Sequence, residues 1–249
     1  MNIEIRDRLV LAAKIILCMF AILLVYFIGI YARKDIPVFE IKDIYIKSTA
    51  NANYLDDNMT KEWNLNIYQP NEVYIKFGVN NNIHTVNKED KLLESVYVKN
   101  IKILTNPILG DNIDIYTISK NSEKVFEYIE EYKVQDNIQY TVLPNNANIF
   151  NMEVNNTNGQ IALCFVNNNV LSYVYENVEE LVFDGTLFKK ANIPLEQIQF
   201  TISLDLVLIT QTKKEYTYNI QMILPYGDIV EEGTVITDDK SNVKVLYQK

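Results

Sequence analysis

From Leu9 to Ala32 the chain is apolar at almost every position, and Lys14 is the only charge. No polar stripe recurs at helical spacing, so a helix here would have no face suited to water. The uncharged part, Ile15–Ala32, is 18 residues long, close to the roughly 20 that cross a hydrocarbon core. Lys14 sits near one end, where its stem can snorkel, and Tyr26 and Tyr31 lie near the far interface. Cleavage signals are wrong. Ile30 or Phe27 would occupy the position where a signal peptidase needs a small residue, and Leu17 precedes Cys18 where a lipoprotein leader needs one. The pattern predicts a short tail over 1–8 and a retained transmembrane helix, a signal-anchor, over 9–32.

Beyond Asp35 the pattern changes to alternation, the period of a half-buried strand. In FTISLDLVLIT, Phe200, Ile202, Leu204, Leu206 and Leu208 share one face while Thr201, Ser203 and Asp205 share the other. The polar turn Gln211–Lys214 follows, then EYTYNIQMIL with Tyr216, Tyr218, Ile220, Met222 and Leu224 on one face. Two such runs around a four-residue turn predict a hairpin. WNLNI, EVYIKFGV, SVYVKNIKIL, NIDIYTI, GQIALCFV and the closing VKVLYQK read as further strands, and Tyr132–Val134 with Ile138–Tyr140 as a second hairpin around Gln135–Asn137. Turns are expected at Asn106-Pro107, Leu109–Asp111, Asn158-Gly159, Asp184-Gly185 and Tyr226–Asp228. Helical signals are confined to a short turn after Asn87 and another at Leu187–Ala191.

The fold class expected is therefore mainly β: an N-terminal transmembrane helix followed by an antiparallel β-sandwich. Its length raises the possibility of two tandem immunoglobulin-like sandwiches. Phe77-Gly-Val79 leads into Asn80–Asn82, and Phe165-Val166 leads into Asn167–Asn169, a weak internal repeat. It suggests β-rich domains over 36–145 and 146–249, with one domain as the alternative.

Charge bears on orientation. Residues 1–34 hold five basic and two acidic groups, +3, so the remainder of a chain of net charge −9 carries −12. Arg6 and Arg8 before the span are nearly balanced by Arg33 and Lys34 after it, so the flanks barely discriminate. The acidic domain has no electrostatic attraction to anionic lipid or nucleic acid, which favours its placement outside the cytoplasm. Cys18 and Cys164, the only cysteines, are in separate regions, so the domain has no disulfide of its own, as in many exported bacterial proteins. Heavy use of Asn, Ile, Lys and Tyr fits a low-GC genome and accounts for Asn clusters and for the sequons at Asn58 and Asn155.

Candidate chemistry is thin. His84 is the only histidine, within a polar stretch where a solvated loop residue is the simple reading, and no zinc or CxxC spacing exists. Cys164 alternates within an apolar strand, as an inert core cysteine does. The seven glycines match no nucleotide-binding or nucleophile-elbow spacing. Glu130-Glu131, Glu179-Glu180, Glu231-Glu232 and Asp238-Asp239 are adjacent pairs, which a strand points to opposite faces. Asp56–Asn58 and Asp111–Asp114 lack the spacing of a calcium loop. Seventeen tyrosines could line a recognition surface, although strand propensity and codon usage explain them more simply. Trp63 falls on the apolar parity of its strand and is expected in the core. No catalytic or metal residue and no cofactor is expected, and the binding residues stay unassigned.

The stretch Asp184–Thr234 combines an Asp-Gly-Thr turn, paired lysines, the long hairpin, and Leu-Pro-Tyr-Gly-Asp followed by Glu-Glu-Gly-Thr. It resembles the corresponding part of uncharacterised single-pass membrane proteins of clostridia and related Gram-positive bacteria. The resemblance implies a Gram-positive envelope protein and transfers no functional residue. The expected function is a membrane-anchored, extracytoplasmic binding or scaffolding protein, not an enzyme, whose partner is another envelope protein rather than nucleic acid or a small-molecule cofactor. The alternative is an accessory subunit of a secretion, conjugation or sporulation complex, with Gly29 and Ala32 on the helix face packed against partner helices.

Overall fold

In the computed structural model the described residues are 14–25, 37–54, 63–83, 86–120, 123–175 and 186–248. Residues 14–25 form helix α1, and every one of them is exposed, Phe20 and Val25 included. The rest of the expected span, 9–13 and 26–32, lies outside the described residues, and among those described no helix is long and apolar enough to cross a membrane.

Among the described residues twelve strands follow: β1 (Phe39–Thr49), β2 (Asn51–Tyr54), β3 (Trp63–Val79), β4 (Leu93–Thr105), β5 (Ile113–Thr117), β6 (Ile138–Leu143), β7 (Glu153–Asn155), β8 (Asn158–Tyr175), β9 (Phe200–Thr210), β10 (Glu215–Leu224), β11 (Thr234–Thr237) and β12 (Val243–Gln248). One six-stranded sheet runs β11-β1-β3-β8-β5, with β2 also on β3; the other runs β12-β10-β9-β4-β6-β7. All pairings are antiparallel except β6–β7.

The sequence hairpin is β9–β10, in register from Phe200 opposite Leu224 to Ile209 opposite Glu215. Its apolar parity is fully buried: Ile202, Leu204, Leu206 and Leu208 meet Ile44, Ile75, Leu163 and Phe165 of the other sheet in one core. Burying each such side chain contributes roughly 1.5–3 kcal/mol, which makes the shared interior the main reason for two sheets to close on each other.

Val38–Lys249 is one unit, and each sheet draws strands from both sides of residue 145. The division into 36–145 and 146–249, and with it the tandem immunoglobulin-like arrangement, is corrected to a single sandwich, with twelve strands among the described residues. The cause is visible in the two segments that suggested a repeat. β3 and β8 are not equivalent strands of two domains but neighbours, paired from Trp63 opposite Tyr175 to Gly78 opposite Asn158. Asn81 and Asn82 turn the chain after β3, whereas Asn167–Asn169 lie within β8.

Three local expectations also change. WNLNI and EVYIKFGV belong to one strand, β3, in spite of Pro70. A proline is tolerated there because β1 pairs with β3 only as far as Asn71 and β2 begins opposite Tyr68, so no ladder partner stands beside the missing N–H. Asn158-Gly159 is not a turn but the start of β8. The second hairpin does not form: Lys133 bridges to Tyr116 of β5 while Ile138–Leu143 joins β4 in the opposite sheet. Ile138 and Tyr140 are core residues, so their burial carries the chain across from one sheet to the other.

The turn after Asn87 is a single 3-10 turn, Lys88–Lys91, without a side-chain cap from Asn87. Its Asp90 is buried and accepts hydrogen bonds from Lys214 Nζ at 2.7 Å and from the Thr212 hydroxyl. These bonds, Lys214's first, hold the carboxyl below the usual carboxylate range. A carboxylate whose pKa is lower folded than unfolded adds stability above its unfolded value of about 3.9, and that stability disappears as pH falls through the folded value. Asp90→Asn is therefore expected to lower stability by roughly 1–2 kcal/mol at neutral pH and to narrow the gap to wild type below pH 4, read from thermal melts across pH.

Candidate functional site

The sandwich core occupies one face of the β11-β1-β3-β8-β5 sheet, and the candidate site lies on the other. On β3 the odd positions Leu65, Ile67, Val73, Ile75 and Phe77 are buried inward, so Asn66, Tyr68, Glu72 and Tyr74 face outward. Register adds Tyr45 and Lys47 from β1 beside Tyr74 and Glu72, and Asn51 and Asn53 from β2 beside Tyr68 and Asn66. From β8 come Ala162, Cys164 and Val166, and from β5 Asp114 and Tyr116 opposite them.

β8 is consequently buried on both sides. Ile161, Leu163 and Phe165 belong to the sandwich core, whereas Ala162, Cys164 and Val166 form a separate cluster with Tyr116 and Phe126. The cover is the segment Lys124–Ile129, tied to the chain two residues beyond β5 by Ser119 N–H donating to Val125 C=O at 2.9 Å. It lays Phe126 on Tyr74 and Tyr128 against both Tyr68 and Tyr116, at centroid distances of 6.1, 6.0 and 5.4 Å.

A break in β3–β8 pairing shapes the rest. Ile67 is opposite Leu171 and Gln69 opposite Asn167, so Tyr68 alone on β3 faces three residues, Asn168–Val170, on β8. The excess forms a bulge, which re-aims side chains. Asn169 takes the left-handed backbone, φ 50°, a conformation asparagine adopts more readily than other non-glycine residues. Asn168 and Asn169 are thereby brought beside Tyr68.

Two adjoining cavities result. The inner one, about 310 Å³, is lined by the amides of Asn53, Asn66, Asn168 and Asn169 and by Tyr68, Tyr116 and Tyr128, over Val166. The outer one, about 620 Å³, shares Tyr68 and Tyr128 and opens between Lys47, Asn51 and Glu72 of the sheet and the covering segment Lys124–Ile129. The amides are held in place: Asn66 donates to Asn169 Oδ1, Asn169 Nδ2 to Asp111 Oδ2 at 2.7 Å, and Asn168 Nδ2 to Asp114 Oδ2 at 3.0 Å. Asp114 is in turn paired with Lys133 at 2.8 Å. Glu72 accepts from Lys47 Nζ at 2.9 Å and from Tyr74 OH at 2.6 Å. Burial, before any other cause, pushes the Tyr68, Tyr74, Tyr116 and Tyr128 phenols above their ordinary pKa, so they remain neutral donors and acceptors.

The sequence candidates fall as follows. Cys164 is buried beneath Tyr128, and burial raises its thiol well above the ordinary range, the opposite of a nucleophile's environment. The Asp111 and Asp114 carboxylates are engaged by the amides and ammonium just described. Among the described residues no group of three or more His, Cys, Asp or Glu is placed to hold a metal. His84, Glu179-Glu180, Asp56–Asn58 and the Trp63 side chain lie outside the described residues. The tyrosine face went unassigned in the sequence, yet a signal existed. Tyr74 sits between Val73 and Ile75, on the parity opposite the apolar one, and Tyr68 shares that parity.

Comparison with protein-family models, with curated proteins and with solved structures gives no match.

Proposed function

We propose that this chain is a membrane-anchored, extracytoplasmic binding module of the cell envelope, and that it takes its ligand in the tyrosine–asparagine cleft. The observation that carries this reading is the cleft itself: concave, of ligand size, walled by aromatic rings and set with amides whose orientations are fixed by their own hydrogen bonds. Binding sites combine an apolar lining with a few convergent, preorganised polar groups. The rings and fixed amides that line the cleft are groups suited to recognition.

The anchor is the segment 9–32. The exposure of Ile15, Leu17, Phe20, Ile22 and Val25 on all sides of α1 suits lipid as surroundings better than water. The −12 charge of residues 35–249 supports placement outside the cytoplasm. An accessory role in a secretion, conjugation or sporulation complex would place the helix itself against partner helices.

The test is photo-crosslinking in the native membrane from benzoyl-phenylalanine at Val125, which is exposed at the cleft mouth. Asn219, on the outer face of the opposite sheet, serves as the control position. Discrete adducts from Val125 with none from Asn219 are expected. Equal yields from the two positions, or none from either, would sink the reading.

A further inference from the structure

The geometry points to an uncharged saccharide as the ligand of the inner cavity. This assignment rests on the reading of the cleft as a ligand site and narrows it to one chemical class.

Charge comes first. Among the described residues no carboxylate, ammonium or guanidinium group lines the inner cavity; its polar groups are carboxamides and phenols. An anionic ligand would find no cation to pair with inside, and would approach a domain carrying −12 against a repulsive field. A cationic ligand would leave its charge desolvated and unpaired. Lys47 is already paired with Glu72 outside, at 2.9 Å. The ligand that suits the interior is neutral.

Polarity comes next. Each carboxamide offers two N–H donors and an acceptor oxygen, and each phenol both donates and accepts. Four amides and three phenols around one small space amount to a dense, mixed donor–acceptor set. A purely apolar ligand would strip these groups of water without replacing their hydrogen bonds. A hydroxyl-rich molecule satisfies both roles at once, since every hydroxyl also donates and accepts.

Shape and surface select further. Aromatic walls offer broad apolar faces, and a sugar ring has C–H faces to lay against them with hydroxyls at its rim for the amides. A peptide strand would instead need an open sheet edge or alternating side-chain pockets. Here β3 and β8 lie inside the sheet and are paired on both sides at Ile67 and at Val166, so the middle of the cleft floor has no edge to offer. The outer cavity adjoins the inner one through Tyr68 and Tyr128, which gives a second ring of a chain a place to continue. The ligand is thus an oligosaccharide with one residue in the inner cavity and the next towards the covering segment Lys124–Ile129.

The experiment is titration of the full chain, in a detergent without a sugar headgroup, with uncharged tetrasaccharides. The probes are tetra-N-acetylchitotetraose, cellotetraose, maltotetraose and mannotetraose, with inorganic polyphosphate as the anionic comparison, all followed by calorimetry and tyrosine fluorescence. At least one saccharide is expected to bind with a Kd of roughly millimolar or tighter, weakened at least about tenfold by Tyr68→Ala and by Asn53→Ala. Asn53 is exposed, so its variant keeps the test valid if Tyr68→Ala fails to fold. Asn219→Ala should bind as wild type does. Binding of none of the four saccharides, binding indifferent to Asn53→Ala, or competition by polyphosphate would each overturn the assignment. If the saccharides fail while Val125 still forms a discrete adduct with a protein, the cleft remains a ligand site and only its saccharide class falls. If Val125 forms no adduct and the saccharides fail as well, the binding reading falls with it.

Discussion

Tyr140→Phe, the removal of one oxygen atom, is expected to destabilise the protein by roughly 2–4 kcal/mol. Tyr140 lies on β6 and is 1% exposed. Its ring packs in the sandwich core, and its hydroxyl crosses to β8, donating to Ala162 C=O at 3.1 Å and accepting from Ala162 N–H at 3.1 Å. The bond exists because β5 ends its pairing with β8 at Leu163. Towards Asn158, no strand among the described residues pairs with β8 on that side, and the phenol stands in for one. Phenylalanine would keep the packing and leave a buried N–H and a buried C=O without this partner, each costing about 1–3 kcal/mol. For a domain of this size about 3 kcal/mol corresponds to a melting temperature lower by roughly 6–12 °C. A melt within a degree or so of wild type would mean that water reaches Ala162 and that the core is looser at β6. The same burial pushes the Tyr140 phenol up to about 12, so the bond persists throughout the neutral range.

Tyr140 also marks where sequence reading succeeds and stops. Alternation identifies strands because a half-buried sheet selects side chains two residues apart, and β9 and β10 were legible to the residue for that reason. The same rule gave Tyr140 a strand but not a sheet. Ile138 and Tyr140 look like one arm of a local hairpin until the core claims them for the opposite layer. The run Ile161–Val166 carried more information than the alternation rule extracts. Six consecutive apolar residues mean burial on both faces, and a second buried face implies a cover such as Lys124–Ile129. The cleft was harder to read. Its tyrosines come from β3, β5 and a loop, and its asparagines from β2, β3 and a bulge in β8, so no contiguous motif exists. The bulge depends on how two strands 100 residues apart fall into register, which local pattern cannot encode.

That bulge is held from behind by Gly110, and Gly110→Ala is expected to cost roughly 3 kcal/mol or more. The residue has φ +116°, and an added Cβ would come within 1.8 Å of Asn167 Oδ1. Neither atom can yield easily. Asn167 is completely buried, and its Nδ2 donates to Leu109 C=O at 2.9 Å, tying the 106–112 loop to β8 one residue before the bulge. Backbone strain for a non-glycine residue in this region is about 1–3 kcal/mol, and overpacking adds a similar amount. A double-mutant cycle separates the two. Asn167→Ala removes the obstructing amide, so in that background Gly110→Ala should cost only the strain, and the coupling between the two positions should be at least about 1 kcal/mol. The functional consequence follows from position: Asn168 and Asn169 follow Asn167 directly in β8, so a shifted Asn167 carries both cleft amides with it. Gly110→Ala should therefore weaken whatever the cleft binds even below its melting temperature, whereas Tyr140→Phe, acting on the far half of β8, should lower stability and leave binding intact. Additive costs in the cycle would show that the loop can move away from Asn167, and the bulge would then owe its shape to Asn169 alone.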